Sequence, residues 1–476
     1  MEKIGYMPIN KLRKMISSKE ISPVEIMNET FERINSLNSR FGAYITLDQA
    51  GSLKKAKEAE EAVMKGKDLG PLHGIPIPIK DLEPVKNMRC TFGSIPADII
   101  AEEDAISVER IKSAGGIIIG KTNTPEYGNA GTTENRVFGI SRNPWDEELT
   151  PGGSSGGSAV SICSGMTSIA QGSDGGGSIR IPASLCGIFG LKPTQGRIPR
   201  RVHNNTKWNE INFSTTGPMS IDVTDSAILL EVMSGFHQDG ENGTIGEENP
   251  TFTNFSDTNL DGIKIAFSKG VGGALADKEV IESIEKTVKK IDGLGFSVEE
   301  IDFYPDESEM LFRTWFDFWC SRSYLMTPHL IDDKKNREGL TDYFRTNIQH
   351  GKDISGASLF EALNNIGKYR KYTQSIFNNY DLLITPTIAV KPFKINEYPE
   401  EINGIKCGSP FWDWTPFTYI FNLTGNPAAS IPVTRSKDNL PIGMQVVAGL
   451  MKENLILAFS KLIESNEPWN SYPEIK

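Results

Sequence analysis

GGSSGGSAVSICSGMTSIAQGSDGGGSIRIPASLCGIFGLKPTQGRIP, residues 152–199, carries two serine-bearing glycine clusters, Gly152–Ser158 and Ser173–Ser184. Glycine admits positive φ and close backbone approach, so such clusters can aim several amide N–H groups at one point, the geometry an oxyanion hole needs. The same composition also suits loops that merely let elements pack tightly. Isoleucine, valine, phenylalanine, leucine and arginine interrupt the small residues throughout 121–196, so the stretch reads as ordered turns around a site rather than as a linker.

Within it, Gly152-Gly153-Ser154-Ser155-Gly156 fits G-x-S-x-G, the strand-to-helix turn that exposes a nucleophilic serine. That turn needs a strand before it and an acid and a histidine after it. The upstream NPWDEELTP is no strand, and none of His73, His203, His237, His329 and His350 stands in a catalytic context. Another base must then take a serine proton. A lysine can do so where burial or positive neighbours favour its neutral form. Lys80 has such a setting, flanked by Ile75, Ile77, Ile79 and Leu82 among prolines. Most single lysines are solvated, so Lys80 gains weight only from the motifs around it.

The flanking sequence alternates helix and strand, the pattern of an α/β layer architecture. Ser22, Pro23 and Glu25 predict a capped helix with Val24, Ile26, Met27, Phe31 and Ile34 on one face. A second helix is expected over 48–64, then an extended GIPIPIKD at a sheet margin, where proline is tolerated. A helix near 105–114 leads to a strand at Ile117–Ile119. Further on, IKIAF, a helix over 277–291 and FSVEEID suggest a βαβ unit. Helices should fill 310–380, followed by strands at Leu382, Ala428 and Met444 and a closing helix over 453–464.

Composition narrows the function. With 50 Lys and Arg against 61 Asp and Glu, the net charge of −11 argues against a nucleic-acid partner and fits a small uncharged ligand. The five cysteines form no C-x-x-C pair, which argues against a zinc site or disulfide framework and for reduced thiols in the cytoplasm. MEKIGYMPINKLRK lacks an apolar run, and no window of about 18 apolar residues occurs, so neither export nor a membrane partner is expected.

PLHGIPIPIKD, KTNTPEYGNAGTTEN, RNPWD, GGSSGGSA, GSDGGGSIRIPASLCGIFGLKPTQGRIP, FNLTGNPAASIPV and LPIGMQVVA occur in that order over nearly the whole chain. Together they resemble the amidase signature family, including its cyclic-amide hydrolases. The resemblance implies a single large α/β fold with a mixed twisted sheet covered by helices on both faces. It divides into an N-terminal helical segment (1–70), a signature core (71–200) and a remainder with pocket helices and C-terminal strands (201–476). It also implies a Ser–cis-Ser–Lys triad: Ser178 as nucleophile, Ser154 as bridge after a cis Gly153–Ser154 bond, and Lys80 as general base. The 24-residue step between the two serines agrees with the family spacing.

On the same resemblance, the amides of Gly175, Gly176, Gly177 and Ser178 bind the oxyanion of an acyl-transfer intermediate, while Asp174, Arg180, Ser155 and Ser173 brace the loop. No metal or organic cofactor is called for. Gly175 stands where relatives often carry a larger side chain, which should loosen the oxyanion loop. Trp315, Trp319, Cys320, Phe411, Trp412 and Trp414 are the candidate pocket residues for an apolar, aryl or cyclic amide, and a homodimer is left open. The rival readings are the glutaminase subunit of a tRNA-dependent amidotransferase, which shares the triad, and an inactive binding homologue.

Overall fold

The first long helix forms where its cap residues dictate. In a computed structural model describing residues 4–67, 69–201, 213–240, 250–303, 305, 308–469 and 472–475, Ser22 Oγ accepts from Glu25 N, and Glu25 Oε2 accepts from Ser22 N. This capping box starts α1, Pro23–Phe41, which buries Ile26, Met27, Phe31 and Ile34 and leaves Val24 half-buried. Asp48 caps α2, Gln49–Met64, by accepting from Gly51 N.

Two sheets of three or more strands are found among the described residues, beside four two-stranded ones. A small one orders β1 (Tyr44–Leu47), β3 (Ile117–Thr122) and β2 (Pro76–Lys80). β2 is an edge strand, as its prolines require, and runs parallel to β3. The larger is eight-stranded, and its strands in chain order are β4 (Ile169–Asp174), β5 (Phe189–Lys192), β6 (Thr215–Ser220), β7 (Lys264–Phe267), β8 (Ser297–Glu300), β9 (Leu382–Pro386), β10 (Ala428–Arg435) and β11 (Pro441–Ala448). In space they run β8-β7-β9-β11-β10-β5-β6-β4. β7 pairs in parallel with β8 and β9, and the other pairs are antiparallel.

β4, β9 and β11 are buried at every position, so protein covers both faces of the large sheet. The expected βαβ unit is β7, the helix Lys278–Gly293 and β8. The mixed α/β class read from the sequence is therefore the one found. No described helix is long and apolar enough to cross a membrane.

Four further helices matter for the site: α3 (Gly156–Cys163), α4 (Arg180–Cys186), α5 (Ser308–Met326) and α6 (Asp342–Asp353). α3 and α4 each follow one of the glycine clusters, so the two serine loops become the N-terminal approaches of adjacent buried helices. α5 comes from the helical stretch after β8 and lies against those loops from outside.

Candidate active site

Lys80 ends β2 with no exposed surface, and its amide donates to Gln171 Oε1 on β4 at 3.0 Å. Its Nζ lies 2.6 Å from Ser154 Oγ, 2.9 Å from Ser155 Oγ and 3.3 Å from Ser173 O. No carboxylate is among these partners. The neighbouring Asp81 is turned elsewhere, with Oδ1 on Lys121 Nζ and Oδ2 accepting from Thr91 N and Oγ1. Burial pushes the Lys80 amine down to about 7, opposed by the more distant charges of Asp174 and Glu83 and helped by Arg200.

Ser154 is buried and follows a cis Gly153–Ser154 peptide. A Cβ on Gly153 would lie 2.3 Å from Thr132 O, so only glycine fits that turn. Ser155 joins the loops: its Oγ donates to Ser173 O (3.1 Å) and accepts from Ser173 N (3.2 Å), and its N–H donates to Ser178 O (3.0 Å).

The segment after β4 is held by one ion pair. Arg180 Nε and Nη2 donate to the two Asp174 oxygens, each at 2.9 Å, with neither side chain exposed. Its other donors reach Thr418 O (2.9 Å), Gln445 Oε1 (2.7 Å) and Asn422 Oδ1 (2.7 Å), which satisfies all five guanidinium N–H groups. Burial alone would raise the Asp174 carboxyl, but the Arg180 charge and hydrogen bonds hold it well below the usual carboxylate range. Asn422 Nδ2 adds bonds to Asp174 O and Oδ1.

Asp174 Oδ1 also accepts from Gly177 N at 2.7 Å. The Gly177 N–H, one of the four amides expected to bind an oxyanion, is thus engaged by a buried carboxylate that needs donors. The amides of Gly175, Gly176 and Ser178 donate to no acceptor among the described residues. The carbonyls that alternate with them are tied down instead. Gly175 O accepts from Trp315 Nε1 (3.1 Å), Gly176 O from Thr418 Oγ1 (2.6 Å) and Gly177 O from Ile181 N (2.7 Å).

Ser178 is half-buried at a narrow recess walled by Gly128, Ala130, Gly131, Gly176, Ile181, Trp315, Trp319 and Trp412. A Cβ on Gly128 would lie 3.1 Å from Ser154 Oγ, so Ser154 sits directly behind this wall. No charged side chain lines the recess among the described residues.

Three of the six expected pocket residues, Trp315, Trp319 and Trp412, are therefore at the recess. The other three are not. Cys320 is fully buried where α5 meets α6, at a crossing so close that a Cβ on Gly351 would lie 2.0 Å from Cys320 O. Trp414 is also fully buried and backs the wall, its ring against Gly131 and its Nε1 donating to Phe411 O. Phe411 packs outside, between Tyr343, Tyr398 and Trp412.

At Gly175, where a looser loop is expected from the missing side chain, Trp319 packs in its place. A Cβ there would lie 2.5 Å from Trp319 Cζ3, so the indole fills the space a side chain would take and packs the loop down. His73, His237, His329 and His350 make no contact with this centre, and His203 lies outside the described residues. No described group of three or more His, Cys, Asp or Glu side chains is placed to hold a metal ion.

Sequence reasoning gave no role to Gln171, Asn422, Gln445 or Thr418, or to the Trp315 N–H. Asn422 and Gln445 lie inside FNLTGNPAASIPV and LPIGMQVVA, so the signal was present as motif without a function attached.

The family model described as Amidase matches residues 25–457. The chain is 30% identical over 470 residues to an acylamidase of Rhodococcus erythropolis, covering 98% of this chain and 97% of that protein. It is 32% identical over 501 residues to a glutamyl-tRNA(Gln) amidotransferase subunit of Clostridium kluyveri (strain NBRC 12016), covering 99% of this chain and 98% of that protein. A crystal structure of a bacterial aryl acylamidase of the amidase signature enzymes superposes with a TM-score of 0.92 at 27% identity, covering 99% of this chain and 98% of that one.

Proposed function

On the premise that the chain belongs to the amidase signature family and is an amidase cleaving carboxylic C–N bonds, we propose that Ser178 is its nucleophile, Ser154 the proton bridge and Lys80 the general base. The observation that carries this reading is the environment of Lys80 Nζ. A neutral amine has two N–H donors and one lone pair. Ser155 Oγ and Ser173 O take the two donors, and the lone pair is left for the hydroxyl proton of Ser154, whose oxygen is 2.6 Å away. With the amine pushed down to about 7, a large share of molecules holds it neutral at neutral pH.

The reaction follows. Ser154 passes its proton to Lys80 and accepts that of Ser178, whose Oγ attacks the amide carbonyl. The developing oxyanion is met by the amides of Gly175, Gly176 and Ser178, each such donor typically worth about 3 kcal/mol. Ser154 returns a proton to the leaving amine, and water cleaves the acyl-enzyme by the reverse relay.

The substrate we propose is a small amide with an apolar, aryl or cyclic acyl group, acted on by a stand-alone enzyme. Supporting this, the recess at Ser178 is walled by Trp315, Trp319 and Trp412 and no charged side chain. Glutamine would bring an ammonium and a carboxylate into that wall without partners. The likeness to a tRNA amidotransferase component supplies the competing reading. A panel of aryl, aliphatic and cyclic amides with glutamine as control separates the two. Turnover of aryl amides, lost in Ser178→Ala and Lys80→Ala, upholds the proposal, and glutamine as the only substrate refutes it.

A further inference from the structure

The tryptophans that wall the recess also hold the loop carrying the oxyanion donors. Trp315 Nε1 donates to Gly175 O at 3.1 Å. In a trans peptide the carbonyl and the following N–H point in opposite directions, so fixing Gly175 O against Trp315 fixes the direction of the Gly176 N–H. The rings add a second constraint. A Cβ on Gly175 would lie 2.5 Å from Trp319 Cζ3, and one on Gly176 would lie 2.5 Å from Trp315 Cζ2, so each glycine carries an indole directly upon it.

The two indoles stack at 5.8 Å between centroids and 20° between planes. Trp315 is wedged in turn by Tyr419 at 5.4 Å and Trp412 at 5.2 Å. These rings sit on α5 and on the stretch after β9, both outside the segment that bears Lys80, Ser154 and Ser178. Trp315 is buried between these rings, and together with the half-buried Trp319 it also lines the recess beside Ser178.

We propose that Trp315 is a positioning residue of the oxyanion hole: its indole N–H sets the plane of the Gly175–Gly176 peptide and thereby aligns the Gly176 donor. This rests on Ser178 being the nucleophile and the Gly176 amide an oxyanion donor.

Trp315→Phe removes the donor and keeps an aromatic ring on Gly176. It is compared with wild type in kcat and KM for an aryl anilide, in affinity for an aryl trifluoromethyl ketone that forms a tetrahedral oxyanion on a serine, and in affinity for an isosteric ether that cannot. The expected result is a loss of about tenfold in kcat and in ketone affinity, with KM and ether affinity within about twofold, since only transition-state contacts are removed. Should this variant fold poorly, 3-benzothienylalanine at 315 replaces the N–H by sulfur in the same bicyclic shape and must give the same split. Equal losses for ketone and ether, or an unchanged kcat in folded protein, overturn the proposal. Fluorophosphonate labelling of wild type separates the premises: if Ser178 is not labelled, the nucleophile reading fails, whereas labelling with an unchanged Trp315→Phe variant overturns only the Trp315 role.

Discussion

Lys121 Nζ lies 2.9 Å from Asp81 Oδ1 with neither side chain exposed, and this pair decides what Lys80 can do. A carboxylate next to Lys80 in sequence would otherwise be its natural counter-ion and would hold it protonated. Held by Lys121 and Thr91, Asp81 is withdrawn from that role. Lys121→Met should leave the Asp81 carboxylate buried and unpaired and cost about 3–5 kcal/mol, read as a lowered urea midpoint. The double variant Asp81→Asn, Lys121→Met should regain much of that loss.

The pH profile follows from Lys80. Its amine is pushed down to about 7 from an ordinary 10.5, and the proposed relay needs it neutral. The rate constant kcat/KM should rise about tenfold per pH unit below that point and level off above it. Stability has the same sign. Between pH 7 and 10.5 the unfolded chain holds a proton on this lysine that the folded chain lacks, so stability rises with pH through that window. Lys80→Met should flatten part of that rise in denaturant titrations and abolish turnover.

Arg180→Lys should be far from conservative. An ammonium cannot reach Asp174, Asn422, Thr418 and Gln445 together, which the planar guanidinium does. The expected cost is about 3 kcal/mol or more in stability, with kcat reduced because Asp174 also holds the Gly177 and Ile179 amides. Unaltered thermal unfolding together with unaltered kcat would count against this account.

Cys320→Ala tests the reassignment of that cysteine from pocket to helix contact. With its thiol buried where α5 meets α6, the variant should keep kcat and KM within about twofold and lose roughly 1 kcal/mol of stability. A changed preference among acyl groups would return Cys320 to the pocket wall.

Much of this was legible in the sequence because local chemistry decided it. Ser22 and Glu25 announce α1, and the prolines of GIPIPIKD announce an edge strand, while the coverage of the sheet on both faces came from the family resemblance. Lys80, Ser154, Ser155, Ser173, Asp174 and Arg180 could be singled out, and the first four are found hydrogen-bonded around the Lys80 amine and the last two to each other. Three kinds of feature were not legible. The Gly177 amide is consumed by a side chain only three residues away, which needs the loop geometry to see. Trp319 compensates for the bare Gly175 from a helix 140 residues and more downstream, as its neighbour Trp315 does through the Gly175 carbonyl. Trp414 and Cys320 resemble pocket residues in composition, but burial depends on which way a helix or turn is rotated.

The partners of Arg180 lie 238, 242 and 265 residues beyond it, at Thr418, Asn422 and Gln445. A ribosome adds about 5–20 residues per second, so roughly 13–50 s separate synthesis of the Ser178 loop from synthesis of the last group that fixes it. Throughout that interval the emerging chain carries Asp174 and Arg180 without the downstream acceptors that complete the hydrogen bonds of the guanidinium. A chain interrupted before residue 445 is therefore expected to lack one of the acceptors that hold Arg180 and to show no amidase activity.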